Sequence, residues 1–517
     1  MTKPMPPRAD RPPRAATAVV LAAVLVGCGP RGPEGPVQVY ETSITELQEA
    51  MEEGRTTAVA LVDAYLARVE AYDRAGPELR ALISLNPRAR EEAEALDGER
   101  AESGPRGPLH GIPIVLKDNF GTADQPTTAG SVSLEGMVPP EDATVVRMLR
   151  EAGAVILGKT NLHEFAFGYT SISSLGGQTR NPYDPSRNPG GSSGGTGAAV
   201  SASFAAIGYG TDTCGSIRVP AAFNGLFGIR PTKGLASVQG LVPLSHTQDT
   251  PGPLARTVED LAIGLAAIAG PDPNDPATMV PRPSLVEGFQ DALRADALRG
   301  ARIGVLGSYF GAGEAEAEVS AVVRSALARM EEGGAEIVEV VIPGLDTLLA
   351  GTSVITQEFR EDLRAYLSAI PGAPVGSLEE IIAGGLHDPA VEGVLRTSSA
   401  TEGPDSDGYR RALGRRDRVR EVVIAFLDDQ GLDAIAYPSA RREPAPVGES
   451  QGGINCQLSA ATGLPALVAP AALTASGLPV GIELLGRPFD EGRLIGLAYA
   501  YERLVNPRVP PPTTPPF

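Results

Sequence analysis

At 517 residues the chain is long enough to bury a large core, in one big domain or several ordinary ones. Hydrophobic residues make up 42% and charged residues 21%, a balance that excludes a disordered chain and a polytopic membrane protein. The formal charge of −19 excludes nucleic acid as the main partner, because a phosphate backbone would be repelled; it leaves a small-molecule site of either local sign open.

The N-terminus reads as an address. Lys3, Arg8, Arg11 and Arg14 face a single acid, Asp10, and are followed by an apolar run from Ala18 to Cys28. A basic stretch followed by about ten apolar residues predicts a secretory signal over residues 1–27, too short to span a bilayer as a helix. Leu25-Val26-Gly27-Cys28 resembles a bacterial lipobox, which makes Cys28 the expected lipidation site. The alternative is an ordinary cleaved signal that contains a cysteine. Residues 28–39, rich in Gly and Pro, then form an extended tether. The expectation is an exported protein held on a bacterial membrane through lipidated Cys28, facing the periplasm or the exterior.

A single domain is expected over residues 40–505. Apolar residues at helical spacing predict a helix from Ile44 to Ala71, capped by Thr42 or Ser43. A strand follows at Ala81–Leu85, a charged helix at Arg88–Glu102, a buried strand at Ile112–Leu116, a helix at Ala143–Ala152 and a strand at Ala154–Gly158. Small residues from Ala198 to Ala206 predict a helix packed on all sides, and Gly270 to Leu285 a long surface loop. Strands at Arg302–Leu306 and Glu336–Ile342 flank a helix at Glu316–Glu332. Residues 345–430 read as a helical lid or insertion, and the last strands are Asp433–Tyr437 and Val480–Leu485. This alternation predicts an α/β fold in which helices cover both faces of a large mixed sheet.

Two features point to chemistry. Lys and Arg total 44, yet lysine occurs only at Lys3, Lys117, Lys159 and Lys233. Arginine stays protonated in proteins whereas a buried lysine can give up its proton, so the last three are candidates for a role that arginine cannot fill. The second feature is Gly190-Gly-Ser192-Ser-Gly-Gly-Thr-Gly197, followed by Gly208-Tyr-Gly-Thr-Asp-Thr-Cys-Gly-Ser216-Ile-Arg218. Glycines let backbone approach a ligand closely, and buried serines are costly unless they bond to one another or act.

These segments resemble the amidase signature family. The resemblance continues through Pro220 to Gly228 and Arg230-Pro-Thr, backwards through Gly111 to Asn119 and Gly158 to Phe165, and forwards through Gln248 to Leu254 and Gly477 to Gly486. It covers the chain from about 40 to 503 and implies the amidase signature fold and hydrolysis of a linear carboxamide. Position by position, it implies Ser216 as nucleophile, Ser192 as the bridging serine on a cis peptide bond, and Lys117 as general base. It also implies an oxyanion hole from the backbone N–H groups of Thr213, Cys214, Gly215 and Ser216. A serine hydroxyl is a weak nucleophile until a base takes its proton, and a desolvated neutral lysine acting through a second hydroxyl meets that need. Many members carry glycine where this chain has Cys214, and Lys where it has Arg230. Asp212 and Arg218 are placed to pair behind the nucleophile.

Other readings compete. Gly190-x-Ser192-x-Gly194 fits a nucleophile elbow, but a turn at Arg187-Asn-Pro stands where a strand is needed. His163 reads as a helix-start residue beside Glu164, and Lys159 and Lys233 as structural cations bonding carbonyls at the sheet ends. Cys214 and Cys456 either pair or stay as two thiols. No metal or other cofactor is implied. The expected substrate is a peptide amide or small amide. The alternatives are the A subunit of a tRNA-dependent amidotransferase and a catalytically silent, lipid-anchored binding protein.

Overall fold

The structure is a computed structural model and describes residues 1–7, 38–280 and 288–517. Cys28, and all but the ends of the expected signal and tether, lie outside the described residues. The chain begins its sheet with β1 (Leu82–Leu85), β2 (Pro113–Lys117) and β3 (Val155–Thr160). After a two-stranded ribbon of β4 (Ile172–Ser173) and β5 (Gly177–Gln178) come β6 (Ile207–Thr211), β7 (Phe227–Arg230) and β8 (Pro251–Ala255). The second half adds β9 (Arg302–Leu306), β10 (Glu336–Val340), β11 (Ala434–Pro438), β12 (Ala466–Leu473) and β13 (Pro479–Leu485).

Eleven of these strands form one mixed sheet in the order β1-β3-β2-β6-β8-β7-β12-β13-β11-β9-β10. Strand β2 runs parallel to β3 and β6, and β9 parallel to β10 and β11, while the centre from β6 to β13 is antiparallel. Side chains alternate across a strand, and here both sets are covered. On β11, Ala434 and Ala436 join the main core, whereas Ile435 and Tyr437 join a second core with Leu306, Leu427 and Leu485. Helices therefore pack on both faces, as the continuous apolar runs of the strands require.

Some elements differ from the sequence-based expectation. The segment from Ile44 to Ala71 is two helices, Ile44–Glu52 and Ala58–Val69. Gly54 adopts φ +69° after the first, and Thr57 caps the second by accepting from the Ala60 N–H, so local turn chemistry overrides the shared periodicity. The first helix carries a capping box between Ser43 and Glu46. The small-residue helix runs Gly194–Ser201, earlier than expected, because Ser203 turns the chain at φ +55° to enter β6. A Cβ on Gly195 would lie 2.3 Å from the Asn161 carbonyl and 2.5 Å from that of Ala81, so only glycine lets this helix seat on the sheet. The described part of the 270–285 loop contains a 3-10 turn, Pro276–Met279.

Residues 345–430 form five helices, Leu345–Leu349, Ile355–Ser368, Leu378–Gly384, Pro389–Ala400 and Asp407–Asp429. Phe359, Leu363 and Leu367 from this layer share a core with Ala129, Phe165 and Leu244, which ties it to the loops around the site below. Among the described residues no helix is long and apolar enough to cross a membrane.

Candidate active site

Lys117 ends β2 and Thr211 ends its parallel neighbour β6, so both residues emerge at the same sheet edge. Ligand sites in open α/β sheets gather at such carboxyl ends. Lys117 is fully buried, and its Nζ lies 2.8 Å from Ser192 Oγ, 2.8 Å from Thr211 Oγ1 and 3.4 Å from the Thr211 carbonyl. Burial pulls its amine from 10.5 down to about 7, against the opposing pull of Asp249 and Asp212. A neutral amine has two N–H groups and one lone pair. With both N–H groups turned to Thr211 the lone pair would face Ser192, whereas the charged amine donates to Ser192 Oγ as well.

Ser192 follows a cis Gly191–Ser192 peptide and leads into the helix Gly194–Ser201. Its carbonyl accepts from the His163 N–H at 3.0 Å and from Ser171 Oγ at 3.3 Å. A Cβ on Gly191 would lie 2.7 Å from the Gly168 carbonyl, so glycine is what allows this segment to press against 168–169.

Ser216 sits in the turn between β6 and the helix Arg218–Phe223, and its carbonyl accepts from the Ser193 N–H at 3.2 Å. Its Oγ makes no hydrogen bond among the described residues. With Ala166, Phe167, Tyr169, Leu244 and Ile355 it lines a cavity of about 110 Å³. The structure thus brings Lys117, Ser192 and Ser216 to one place.

The loop from Thr213 to Ser216 wraps around Asp212. That carboxylate accepts from the Gly215 N–H at 2.7 Å and the Ile217 N–H at 3.1 Å. The Gly215 N–H, expected among the oxyanion donors, is therefore already engaged. The N–H groups of Thr213, Cys214 and Ser216 have no acceptor among the described residues and are the ones open to an incoming oxygen.

Behind the loop lies a buried charge network. Asp212 pairs with Arg218 and Arg230, each at 3.0 Å, and Arg218 reaches Glu483 at 2.5 Å. Tyr437 donates to the same Glu483 oxygen at 2.8 Å. Burial alone would push the Asp212 carboxyl up, but Arg218 and Arg230 outweigh it and hold it far below the usual carboxylate range. The two arginines diverge for a physical reason. Burial pulls both down, yet Arg218 pairs with two carboxylates and ends above its ordinary value, whereas Arg230 pairs with Asp212 alone, feels Asp249 more weakly, has Arg218 for a neighbour and ends below.

Cys214 and Cys456, left open by the sequence, form a disulfide across 242 residues. Lys159 bonds the Pro126 carbonyl as expected, and adds Thr127 and the buried Asp118 at 3.3 Å. Lys233 donates to the Asp249 carbonyl at 2.8 Å. His163 stands immediately before a short turn starting at Glu164 without capping it by its side chain, and burial pulls its ring down to about 4, so it stands neutral. Among the described residues only His246, Glu358 and Asp362 show metal-ligand spacing, and the Glu358 oxygens are already taken by Ser245, Thr247 and Tyr409.

Sequence reasoning gave no role to Thr211, Asp249 or Tyr169. Thr211 holds the amine, Asp249 accepts from Thr213 Oγ1 at 2.5 Å, and Tyr169 donates to the Cys214 carbonyl at 3.0 Å. The Thr211-Asp212 step was visible as a motif, but the direction of its side chains was not.

A family model described as Amidase matches residues 60–495. The chain belongs to the amidase signature family. It is similar to the native peptide amidase of Stenotrophomonas maltophilia, with 40% identity and a TM-score of 0.84 over 91% of this chain and 98% of that one. The A subunit of glutamyl-tRNA(Gln) amidotransferase from Roseiflexus sp. (strain RS-1) is 38% identical over 90% of this chain and 97% of its own length. Its counterpart from Thermotoga maritima aligns at a TM-score of 0.70 with 29% identity, over 90% of this chain and 95% of that one. This amidase is thus an amide-acting enzyme with the family's mixed-sheet fold.

Proposed function

We propose that this amidase hydrolyses an uncharged peptide amide or small carboxamide through Ser216, Ser192 and Lys117. The observation that carries the proposal is the buried amine of Lys117, pulled down to about 7, at 2.8 Å from Ser192 Oγ beside a cavity onto which Ser216 opens. In the proposed cycle Ser216 Oγ attacks the amide carbon while Ser192 takes its proton and passes its own to neutral Lys117. The N–H groups of Thr213, Cys214 and Ser216 receive the developing oxyanion. The proton on Lys117 returns through Ser192 to the leaving amine, which departs. Water then enters, gives its proton along the same path and attacks the ester on Ser216, and that proton returns through Ser192 to Ser216 Oγ as the acid leaves.

The cavity supports an uncharged acyl group, because Ala166, Phe167, Leu244 and Ile355 offer it no ionic partner. Ammonia release from C-terminally amidated peptides and simple amides tests the reading, with loss of turnover expected in Ser216→Ala and Lys117→Ala. Unchanged turnover in either variant refutes it.

The similarity to the A subunits of amidotransferases supports a second reading, in which the site would liberate ammonia for a transferase assembly. Glutamine hydrolysis faster than peptide-amide hydrolysis would favour it. We also propose export and lipid attachment at Cys28, on the sequence pattern and on the Cys214–Cys456 pairing, which suits an oxidising compartment. Incorporation of a labelled fatty acid that disappears in Cys28→Ala tests this; a protein that stays unlabelled and in the cytosolic fraction overturns it.

A further inference from the structure

We propose that the Cys214–Cys456 disulfide is a positioning element for the oxyanion loop, and that its reduction switches the amidase down. The inference rests on Ser216 being the nucleophile. Cys214 is two residues before Ser216, and its own N–H is one of the three left open. The bridge crosses 242 residues of sequence to tie this loop to the start of the helix Gln457–Thr462.

Each end of the bridge is held by residues of the site. Tyr169, which lines the cavity with Ser216, donates to the Cys214 carbonyl at 3.0 Å and lies 3.3 Å from Cys456 Sγ. Arg218 donates to the Cys456 carbonyl at 3.2 Å while pairing with Asp212. Gly215 leaves no slack, since a Cβ there would sit 2.9 Å from Cys456 Cβ. The loop is thus fixed from inside by Asp212 and from outside by the bridge. The inner clamp engages the N–H groups of Gly215 and Ile217, and the bridge is the one covalent restraint on the residue between Thr213 and Gly215. Small displacements of oxyanion donors cost rate far more than binding, because the donors act on the charge that develops during attack.

Cys214 is partly exposed and lines the cavity, whereas Cys456 is buried, so the cavity side is the one from which a thiolate would approach the bridge. A dithiol reduces the bridge in two steps. Its thiolate attacks one sulfur to form a mixed disulfide and expel the other cysteine, and its second sulfur then displaces the first cysteine. Two electrons and two protons pass to Cys214 and Cys456, and the dithiol leaves as a cyclic disulfide. Full activity is thereby confined to an oxidising compartment.

The test uses the full chain, oxidised and then treated with dithiothreitol, with the state of the cysteines read by intact mass and folding by near-ultraviolet dichroism. Turnover of an amidated peptide and the rate of Ser216 labelling by a fluorophosphonate are measured together. Reduction is expected to lower kcat and labelling by at least about tenfold with KM changed less than about threefold, and reoxidation to restore both. Cys456→Ala, which leaves the Cys214 backbone in place, is expected to reproduce the loss without response to dithiothreitol. Where the reduced protein unfolds, the double variant Cys214→Ala/Cys456→Ala supplies the comparison in a folded chain. Labelling and kcat within about twofold of the oxidised enzyme, in a folded protein lacking the bridge, overturn the inference. Absence of labelling in the oxidised enzyme overturns instead the assignment of Ser216, and the inference falls with it.

Discussion

Replacing Lys117 with methionine gives the sharpest test of the proposed base, because it separates activity from stability by pH. The amine is fully buried and pulled from 10.5 to about 7. At about 1.36 kcal/mol per pKa unit, that displacement corresponds to about 5 kcal/mol disfavouring the charged form. An ordinary lysine is neutral in roughly one molecule in three thousand at pH 7, whereas this one is neutral in about half. Loss of a base of this kind costs roughly 10²–10⁴ in rate, so Lys117→Met and Lys117→Arg are both expected to lose at least about a hundredfold in kcat. The sign for stability runs the other way. Between about pH 7 and 10.5 the unfolded chain holds a proton that the folded chain has released, so this group makes wild-type stability rise with pH across that window. Lys117→Met lacks the term. Its stability relative to wild type, measured by urea unfolding, is therefore expected to be most favourable near pH 6.5 and to decline steadily towards pH 10. A difference in unfolding free energy that is flat from pH 6.5 to 10, or Lys117→Arg with more than about a tenth of wild-type kcat, refutes the reasoning.

Ser216→Ala is expected to abolish turnover while leaving the melting temperature within about 2 °C of wild type, since its hydroxyl has no partner among the described residues to lose. Asp212→Asn strands two buried guanidinium groups and is expected to lower unfolding free energy by about 3–5 kcal/mol in urea titrations. Because the folded pKa of Asp212 is depressed, its stabilisation is present above the ordinary carboxylate range and fades as pH falls through the lower folded value, so this deficit is expected to shrink in acid. Gly195→Ala sets a methyl 2.3 Å from the Asn161 carbonyl and is expected to give a chain that is insoluble or unfolds at least about 3 kcal/mol more easily. Leu244→Ala opens the wall of a cavity of about 110 Å³ and is expected to raise kcat/KM for bulky acyl groups relative to small ones, read on a matched panel of amides.

What the sequence disclosed and what it hid follow from distance along the chain. Lys117 stood out because lysine is scarce, and Ser192 and Ser216 because glycine runs mark backbone that must come close to something. Strand and helix alternation was readable from local periodicity. The split of residues 44–71 into two helices was signalled by Gly54 and Thr57, which a purely apolar count passes over. The support of the site was not readable at all. Arg218 meets Glu483 across 265 residues and Cys214 meets Cys456 across 242, contacts that only the assembled sheet creates. Thr211 was visible, but its partnership with Lys117 depends on β2 and β6 being parallel neighbours.

The buried network bears on how Lys117 is brought down to about 7 in the neighbourhood of carboxylates. A bare Asp212 so near would raise the lysine and keep its proton on, since an opposite charge in a dry interior favours the charged form. Here that carboxylate faces Arg218 and Arg230 and accepts from the N–H groups of Gly215 and Ile217, which oppose its pull on the amine; Asp249 pulls the same way as Asp212, and burial outweighs both. Glu483 closes the set on the far side of Arg218, and Tyr437 donates to it. With Glu483 ionised the four charged groups sum to about zero, so the network as a whole places little net charge beside the amine. The same residues that hold the 213–216 loop in shape therefore also help the amine to be neutral, as the proposed base must be. Under the proposed mechanism brace and base are coupled, and a substitution in the network is expected to act on rate through both.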